Sequence, residues 1–115
     1  MLVQVNTDNH VHGHARFAEY VEGELRQALE RFSAFVTRVE VHLHDANADK
    51  SGATDKRCTL EARVRGRDPI AVHHAADRVE VAFAGARDKL VRLLGRQVDK
   101  ARPPKGLDPF DAVMA

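Results

Sequence analysis

The chain has 115 residues, of which 43% are hydrophobic, and this length fits one compact domain. No stretch approaches the length of a membrane-spanning segment, and the N-terminus lacks the basic start and apolar core of a secretory signal. Cys58 is the only cysteine, which excludes an internal disulfide, so we expect a cytoplasmic protein with no membrane partner.

The net charge of +1 conceals an uneven distribution along the chain. Residues 1–55 contain five Lys or Arg and nine Asp or Glu, a net charge of −4. Residues 56–115 contain thirteen Lys or Arg and eight Asp or Glu, a net charge of +5. Such a separation lets one face attract phosphate groups while the whole chain stays nearly neutral.

The first half of the chain predicts a strand, a helix and a second strand. Residues 2–6 alternate as in a short strand, and residues 14–32 place their apolar side chains at helical spacing. Residues 36–44 alternate again, with Val39, Val41 and Leu43 on one side. The polar, turn-rich residues 45–55 predict a hairpin loop.

The second half predicts two more strands and a long helix. Residues 56–65 place Cys58, Leu60, Ala62 and Val64 on a buried side. Residues 69–73 form a fourth strand, and residues 75 to about 100 form an amphipathic helix that ends before Pro103. The order β-α-β-β-β-α predicts an α+β two-layer sandwich, a four-stranded sheet with both helices on one face. Residues 1–101 would form this domain and residues 102–115 a flexible tail.

The last predicted helix separates its side chains into three strips. At about 100° per residue, one strip is basic and another apolar, and the acidic residues form a third. The basic strip consists of Arg78, Lys89, Arg92, Arg96 and Lys100, and the apolar strip of Val79, Phe83, Ala86, Leu90 and Leu93. A basic strip without interleaved acids gives up stabilising i,i+4 pairs, and phosphate binding would account for it. The alternative is a solvated face whose segregation is accidental.

The third predicted strand carries a second basic group on its outward side. The outward residues are Arg57, Arg63 and Arg65, with Lys56 at the start of the strand, Arg67 in the following turn and Glu61 interrupting the basic residues. This group is a second candidate RNA-binding surface. The alternative is an ordinary exposed face, which antiparallel sheets commonly show.

Nothing in the sequence indicates catalysis. There is no glycine-rich phosphate loop, no nucleophile motif and no paired carboxylates in a plausible site. Cys58 lies on the apolar side of its strand, which favours a buried structural thiol. The seven histidines lack ligand spacing and are interpreted as surface polar or RNA-contacting residues. We therefore expect no catalytic residue, no metal, no cofactor and no small-molecule substrate.

Three segments resemble the ribosome hibernation promoting factor and ribosome-associated inhibitor family: VNTDNH, DKRCTLEARVRGRDPIAVHHAAD and AFAGARDKLVRLL. The resemblance covers residues 1 to about 100. It implies a fold similar to double-stranded-RNA-binding domains. It also implies binding to ribosomal RNA in the messenger and transfer RNA channel of the small ribosomal subunit, which stops translation in stress or stationary phase. Family members commonly carry a Lys, then basic residues three and seven positions later, on the last helix; Lys89, Arg92 and Arg96 match this pattern.

Two other interpretations stay open. One is a regulatory module that binds a protein partner through its sheet, such as a sigma-factor modulator. The other is a generic binder of double-stranded RNA. Longer family members carry a linker and a second, dimer-forming domain that joins two ribosomes, and we expect none in this chain. Whether the protein promotes or prevents ribosome pairing is therefore also open.

Overall fold

The protein is described by a computed structural model that covers residues 1–7, 14–45 and 56–101. The described strands are β1 (Leu2–Thr7), β2 (Val36–Asp45), β3 (Lys56–Val64) and β4 (Ile70–Ala76). The helices are α1 (His14–Ala28) and α2 (Val79–Ala101), and a short 3-10 turn, Glu30–Phe32, follows α1. The predicted order β-α-β-β-β-α is confirmed, whereas the predicted hairpin loop and the tail lie outside the described residues.

The strands form one mixed sheet in the order β1-β2-β3-β4. Strand β1 runs parallel to β2, and α1 supplies the crossover connection that a parallel pair requires. The other two pairs are antiparallel, with Val41 opposite Leu60 and Leu60 opposite Val72. Strands β1 and β4 are therefore the edges of the sheet, and β4 is the edge that lies along α2.

Both helices pack on the same face of the sheet, as predicted. The core combines the inward side chains of the strands with the apolar sides of α1 and α2, and the predicted Cys58, Leu60 and Ala62 are completely buried in it. Arg57 and Arg63 are exposed on the opposite face, so the predicted register of β3 is confirmed. Among the described residues, no helix is long and apolar enough to cross a membrane.

A β-bulge interrupts β2 near its start. The pairing with β3 shifts between Val36, which lies opposite Val64, and Arg38, which lies opposite Arg63, so Thr37 is the additional residue. Val36 and Val39 are both buried although they are three positions apart. Simple alternation counted back from Val39 would have placed Val36 on the outer face.

The boundary between β4 and α2 differs from the prediction. The strand continues to Ala76 because Lys56 and Cys58 of β3 pair with Ala76 and His74, and the helix begins only at Val79. The carbonyl of Arg78 accepts the amide of Ala82 at 2.9 Å, which makes Arg78 the residue that precedes the first helical turn.

Two further helix predictions need correction. Helix α1 ends at Ala28, and the rest of its predicted length is the 3-10 turn. In α2 the buried side includes Leu94, 1% exposed, while the predicted Leu93 is only half-buried. The core-facing side of α2 is therefore rotated away from the basic residues, which leaves Leu93 at the rim of the interface with β4.

Helix α2 packs closely against the His74 side chain of β4 at Gly85. A Cβ atom built on Gly85 would lie 2.2 Å from Cδ2 of the His74 ring, much closer than atoms can approach without displacement. His74 is thus half-buried between strand and helix, whereas its neighbour His73 is exposed. The interpretation of the histidines as surface residues holds for His73 and fails for His74.

Candidate RNA-binding surface

Three of the predicted residues, Lys89, Arg92 and Arg96, are exposed on one side of α2; we call them the α2 strip. Lys89 donates a hydrogen bond from Nζ to the carbonyl oxygen of His73 at 2.9 Å, which ties the start of the strip to β4. Arg92 and Arg96 have no hydrogen bond or ion pair with any residue in the described ranges. Seven residues of helix cover about 10 Å, so the strip can reach two neighbouring phosphates.

A shallow groove of about 330 Å³ runs between β4 and the α2 strip. Its strand side is formed by Ala71, Val72 and His73, and its helix side by the α2 strip and Leu93. On the strand side of the groove, Ala71 has only a small side chain. On the helix side, the three cations of the α2 strip line the groove. The groove therefore offers a positively charged wall beside exposed strand backbone.

A second groove of about 550 Å³ lies on the other side of the strip, against the end of α1. Arg92 and Arg96 line it together with Arg31, Arg87 and Asp88, and Ala28, Val91 and Gly95 complete the lining. Because these two arginines border both grooves, they form a basic ridge with a depression on each side.

Arg31 and Arg87 are basic residues of this surface that the sequence reasoning missed. Arg31 holds its guanidinium 4.4 Å from the centroid of the Phe32 ring. Arg87 lies 3.5 Å from Glu24 and 3.3 Å from Asp88, so its charge is largely balanced. Arg31 belongs to the turn after α1, and only the packing of that turn against α2 brings it to the strip. No local pattern in the sequence indicates this contact.

The turn between β3 and β4 lies beside the C-terminal half of α2. Gly66 occupies this turn with a φ of 73°, a conformation that favours glycine. Arg67 then donates from Nη1 to Oε1 of Gln97 at 2.8 Å. This contact fixes the basic turn next to Arg96.

The predicted residues of β3 are not brought together with the α2 strip. Arg57, Arg63 and Arg65 are exposed on the outer face of the sheet, away from both helices. Arg57 and Arg63 are about 20 Å apart along the strand, with Glu61 between them. Lys56, at the start of the strand, is half-buried and, by alternation with Cys58, belongs to the helix-facing side, so it does not share the outer face with the three arginines.

The two ends of the predicted strip also differ from its centre. Arg78 is exposed but precedes α2, about 16 Å along the helix axis from Lys89. Lys100 falls within α2, and its side chain is outside the described residues. The compact part of the predicted strip is therefore Lys89, Arg92 and Arg96.

The thiol of Cys58 is completely buried, and burial raises its pKa from 9.0 to about 12. It is therefore protonated at neutral pH and unsuited to act as a nucleophile. Within residues 15–44 and 56–98, no three His, Cys, Asp or Glu side chains are grouped closely enough to hold a metal ion. His10 and His12 lie outside the described residues.

A sequence model described as sigma 54 modulation protein / S30EA ribosomal protein matches residues 3–102. The chain belongs to this family. The match includes α1, α2, β2, β3, β4 and all of β1 except Leu2, and it confirms the family resemblance of the three segments. No curated protein matches the chain significantly.

Solved structures share the fold of this family member. A ribosomal subunit interface protein from Coxiella burnetii aligns with a TM-score of 0.69 at 14% identity, covering 86% of this chain and 99% of that chain. The N-terminal domain of Protein Y from Thermus thermophilus aligns with a TM-score of 0.67 at 18% identity, covering 84% and 98%. At these identities the likeness establishes the α+β fold and nothing more specific.

Proposed function

We propose that this protein binds ribosomal RNA of the small ribosomal subunit through the α2 strip and thereby inhibits translation. The observation that carries the proposal is the exposure of Arg92 and Arg96 without an acidic partner among the described residues. Membership of a family described as S30EA ribosomal protein supports association with the ribosome. Inhibition needs no chemistry, because a protein seated in the messenger and transfer RNA channel excludes both RNAs.

The geometry of the strip suits an RNA backbone. Its cations stand on a ridge between two grooves, so phosphates can approach Arg92 and Arg96 from either side. Guanidinium groups bind phosphate oxygens through two parallel hydrogen bonds. The guanidinium groups of Arg92 and Arg96 are not engaged by any other described residue. Binding would release counterions condensed on the RNA, so the affinity should fall steeply with salt.

The test compares two variants that each lose two positive charges. Arg92→Ala/Arg96→Ala removes the ridge, whereas Arg16→Ala/Arg26→Ala removes two exposed arginines of α1. We expect the ridge variant to bind purified small subunits more weakly and inhibit cell-free translation less. Its log–log salt slope should be shallower by about 1.5 to 2. The α1 variant should behave like the parent.

Circular dichroism of both variants must first show a native fold. Equal binding and equal salt slopes for the two variants would contradict the assignment of the α2 strip. Binding of the parent that does not respond to salt would instead favour a protein partner, as a sigma-factor modulator requires.

A further inference from the structure

Phe35, the residue immediately before β2, is aromatic and 42% exposed. Its amide bonds to the carbonyl of Phe32 at 2.8 Å, and its carbonyl accepts the amide of Arg65 at 2.7 Å. The backbone around the ring is therefore fixed on both sides. An apolar ring of this size is held at the surface although the core lies next to it.

The β-bulge at Thr37 decides which way this ring faces. Val36 and Val64 lie opposite each other and point into the core, so their neighbours Phe35 and Arg65 alternate to the outer face. Side chains directly opposite in an antiparallel pair have Cβ atoms about 5 Å apart. Phe35 and Arg65 lie one residue beyond the last strand pair and are joined by the backbone hydrogen bond given above, so we infer that their side chains are neighbours on the outer face.

The arginines beside this ring differ in how they are engaged. Arg38 lies 2.7 Å from a carboxylate oxygen of Glu40 and also bonds to Gln4. Arg63 and Arg65 make no hydrogen bond or ion pair through their side chains with the described part of the chain. The exposed ring of Phe35 therefore shares a face with two guanidinium groups that no described residue engages.

We propose that Phe35 stacks on an unpaired nucleobase of the bound RNA while Arg63 and Arg65 contact the adjoining phosphates. This inference rests on the proposed RNA-binding function and adds a site on the outer face, distinct from the α2 strip. Proteins that bind single-stranded nucleic acids combine cations along the backbone with aromatic rings under the bases. A base within a duplex has both faces covered, so the site selects an unpaired nucleotide.

Tyr20 is the matched comparison on the same molecule. Its side chain is 49% exposed, but its ring lies 5.9 Å from Phe17 and 6.2 Å from Phe83, measured between centroids. Its neighbours along α1 are Arg16, Glu19 and Glu24, and Glu24 is paired with Arg87 at 3.5 Å. An aromatic ring that already packs against two others, and that has no pair of unengaged arginines beside it, should not stack on a base.

Because the chain contains no tryptophan, Phe35→Trp and Tyr20→Trp each create a single fluorescent reporter. The probe is a short single-stranded RNA of mixed sequence, with its duplex form as a comparison. Addition of the single-stranded RNA should quench the tryptophan fluorescence of the Phe35→Trp protein, because the indole ring stacks on a base. Addition of the duplex should quench this fluorescence much less. The Tyr20→Trp protein should show neither effect. Equal responses from both reporters, or no quenching at position 35 at saturation, would overturn the proposal.

The second measurement is the affinity of Phe35→Leu for small ribosomal subunits. Leucine keeps an apolar side chain but cannot stack, so the affinity should fall about 5- to 150-fold. The salt slope should stay that of the parent because no phosphate contact is lost, and Phe35→Trp should retain parental affinity. If folded Phe35→Leu binds like the parent while Arg92→Ala/Arg96→Ala does not, only the stacking site is wrong. A parent that does not bind small subunits would refute both proposals.

Discussion

The α2 strip and the outer face of β3 are both basic, but they are built differently. The strip gathers three cations within about 10 Å of helix, and two of them lack partners among the described residues. The outer face spreads its arginines over more than 20 Å of strand and places Glu61 among them. The same charge thus produces a concentrated field on the helix and a diluted one on the sheet. Counting charges along the sequence does not distinguish the two.

Charge reversal in the two regions should give the largest difference. We expect Arg92→Glu/Arg96→Glu to lower the affinity for small subunits roughly tenfold or more at 0.1 M salt. Arg57→Glu should have a smaller effect per charge because it lies at the end of β3 remote from Arg65. Filter binding over a range of salt concentrations measures both. A larger loss of affinity per charge for Arg57→Glu than for Arg92→Glu/Arg96→Glu would mean that the main RNA contact surface is on the sheet.

The position of the α2 strip relative to β4 depends on Gly85. Alanine at this position would force its Cβ against the His74 ring, and overpacking of this kind typically costs about 1–3 kcal/mol of unfolding free energy. Alanine also favours the helix by about 1 kcal/mol, which offsets part of the cost. We expect Gly85→Ala to lower the melting temperature.

Gly23 provides the control for this prediction. It lies in α1 with no atom within 4 Å of a built Cβ, so Gly23→Ala should stabilise the protein by roughly 0.5–1 kcal/mol. Adding His74→Ala to Gly85→Ala should recover much of the loss, since the clash then disappears. Thermal unfolding of the four proteins measures these effects. A Gly85→Ala protein as stable as Gly23→Ala would show that the imidazole moves aside at no cost.

The sequence was sufficient for the order of elements along the chain and for the two faces of β3, because period-two alternation survives wherever one face is buried. It was not sufficient at the start of β2, where the bulge at Thr37 reverses the faces, and this is why Phe35 was missed. The end of β4 was also missed, since pairing with β3 keeps His74 and Ala76 in the strand. Arg31 reaches the α2 strip only through packing between elements.

The basic residues of the α2 strip could be predicted because they share one helix, whose geometry is regular over its whole length. The β3 group could be predicted only in part. Alternation placed Arg57, Arg63 and Arg65 outward, but Lys56 follows the parity of Cys58 and faces the helices. The α2 strip and the outward arginines of β3 lie on opposite sides of the sheet. This arrangement depends on the tertiary fold and cannot be deduced from local periodicity.

Cys58 offers the smallest and most specific test of the sheet's two faces. Cys58 is completely buried, whereas its neighbour Arg57 is exposed on the opposite face. Because the thiol is shielded from solvent, a thiol reagent at pH 8 should label the native protein very slowly and the unfolded protein rapidly. Since the folded pKa is about 12 and the ordinary value 9.0, the unfolded chain loses this proton first. The buried, protonated thiol therefore contributes to the free energy of unfolding in full below pH 9.0, and this contribution decreases as the pH rises toward about 12.

Cys58→Ala should therefore unfold with a weaker pH dependence in this range, even though the substitution lowers stability at neutral pH by removing buried volume. Urea unfolding of parent and variant at several alkaline pH values gives the comparison, and other titrating groups affect both proteins equally. Rapid labelling of the native parent, or identical pH dependence in the two proteins, would mean that the thiol reaches solvent. The helix-covered face of β3 would then be less closed than its burial indicates, and the division of β3 into one buried and one exposed face would be wrong.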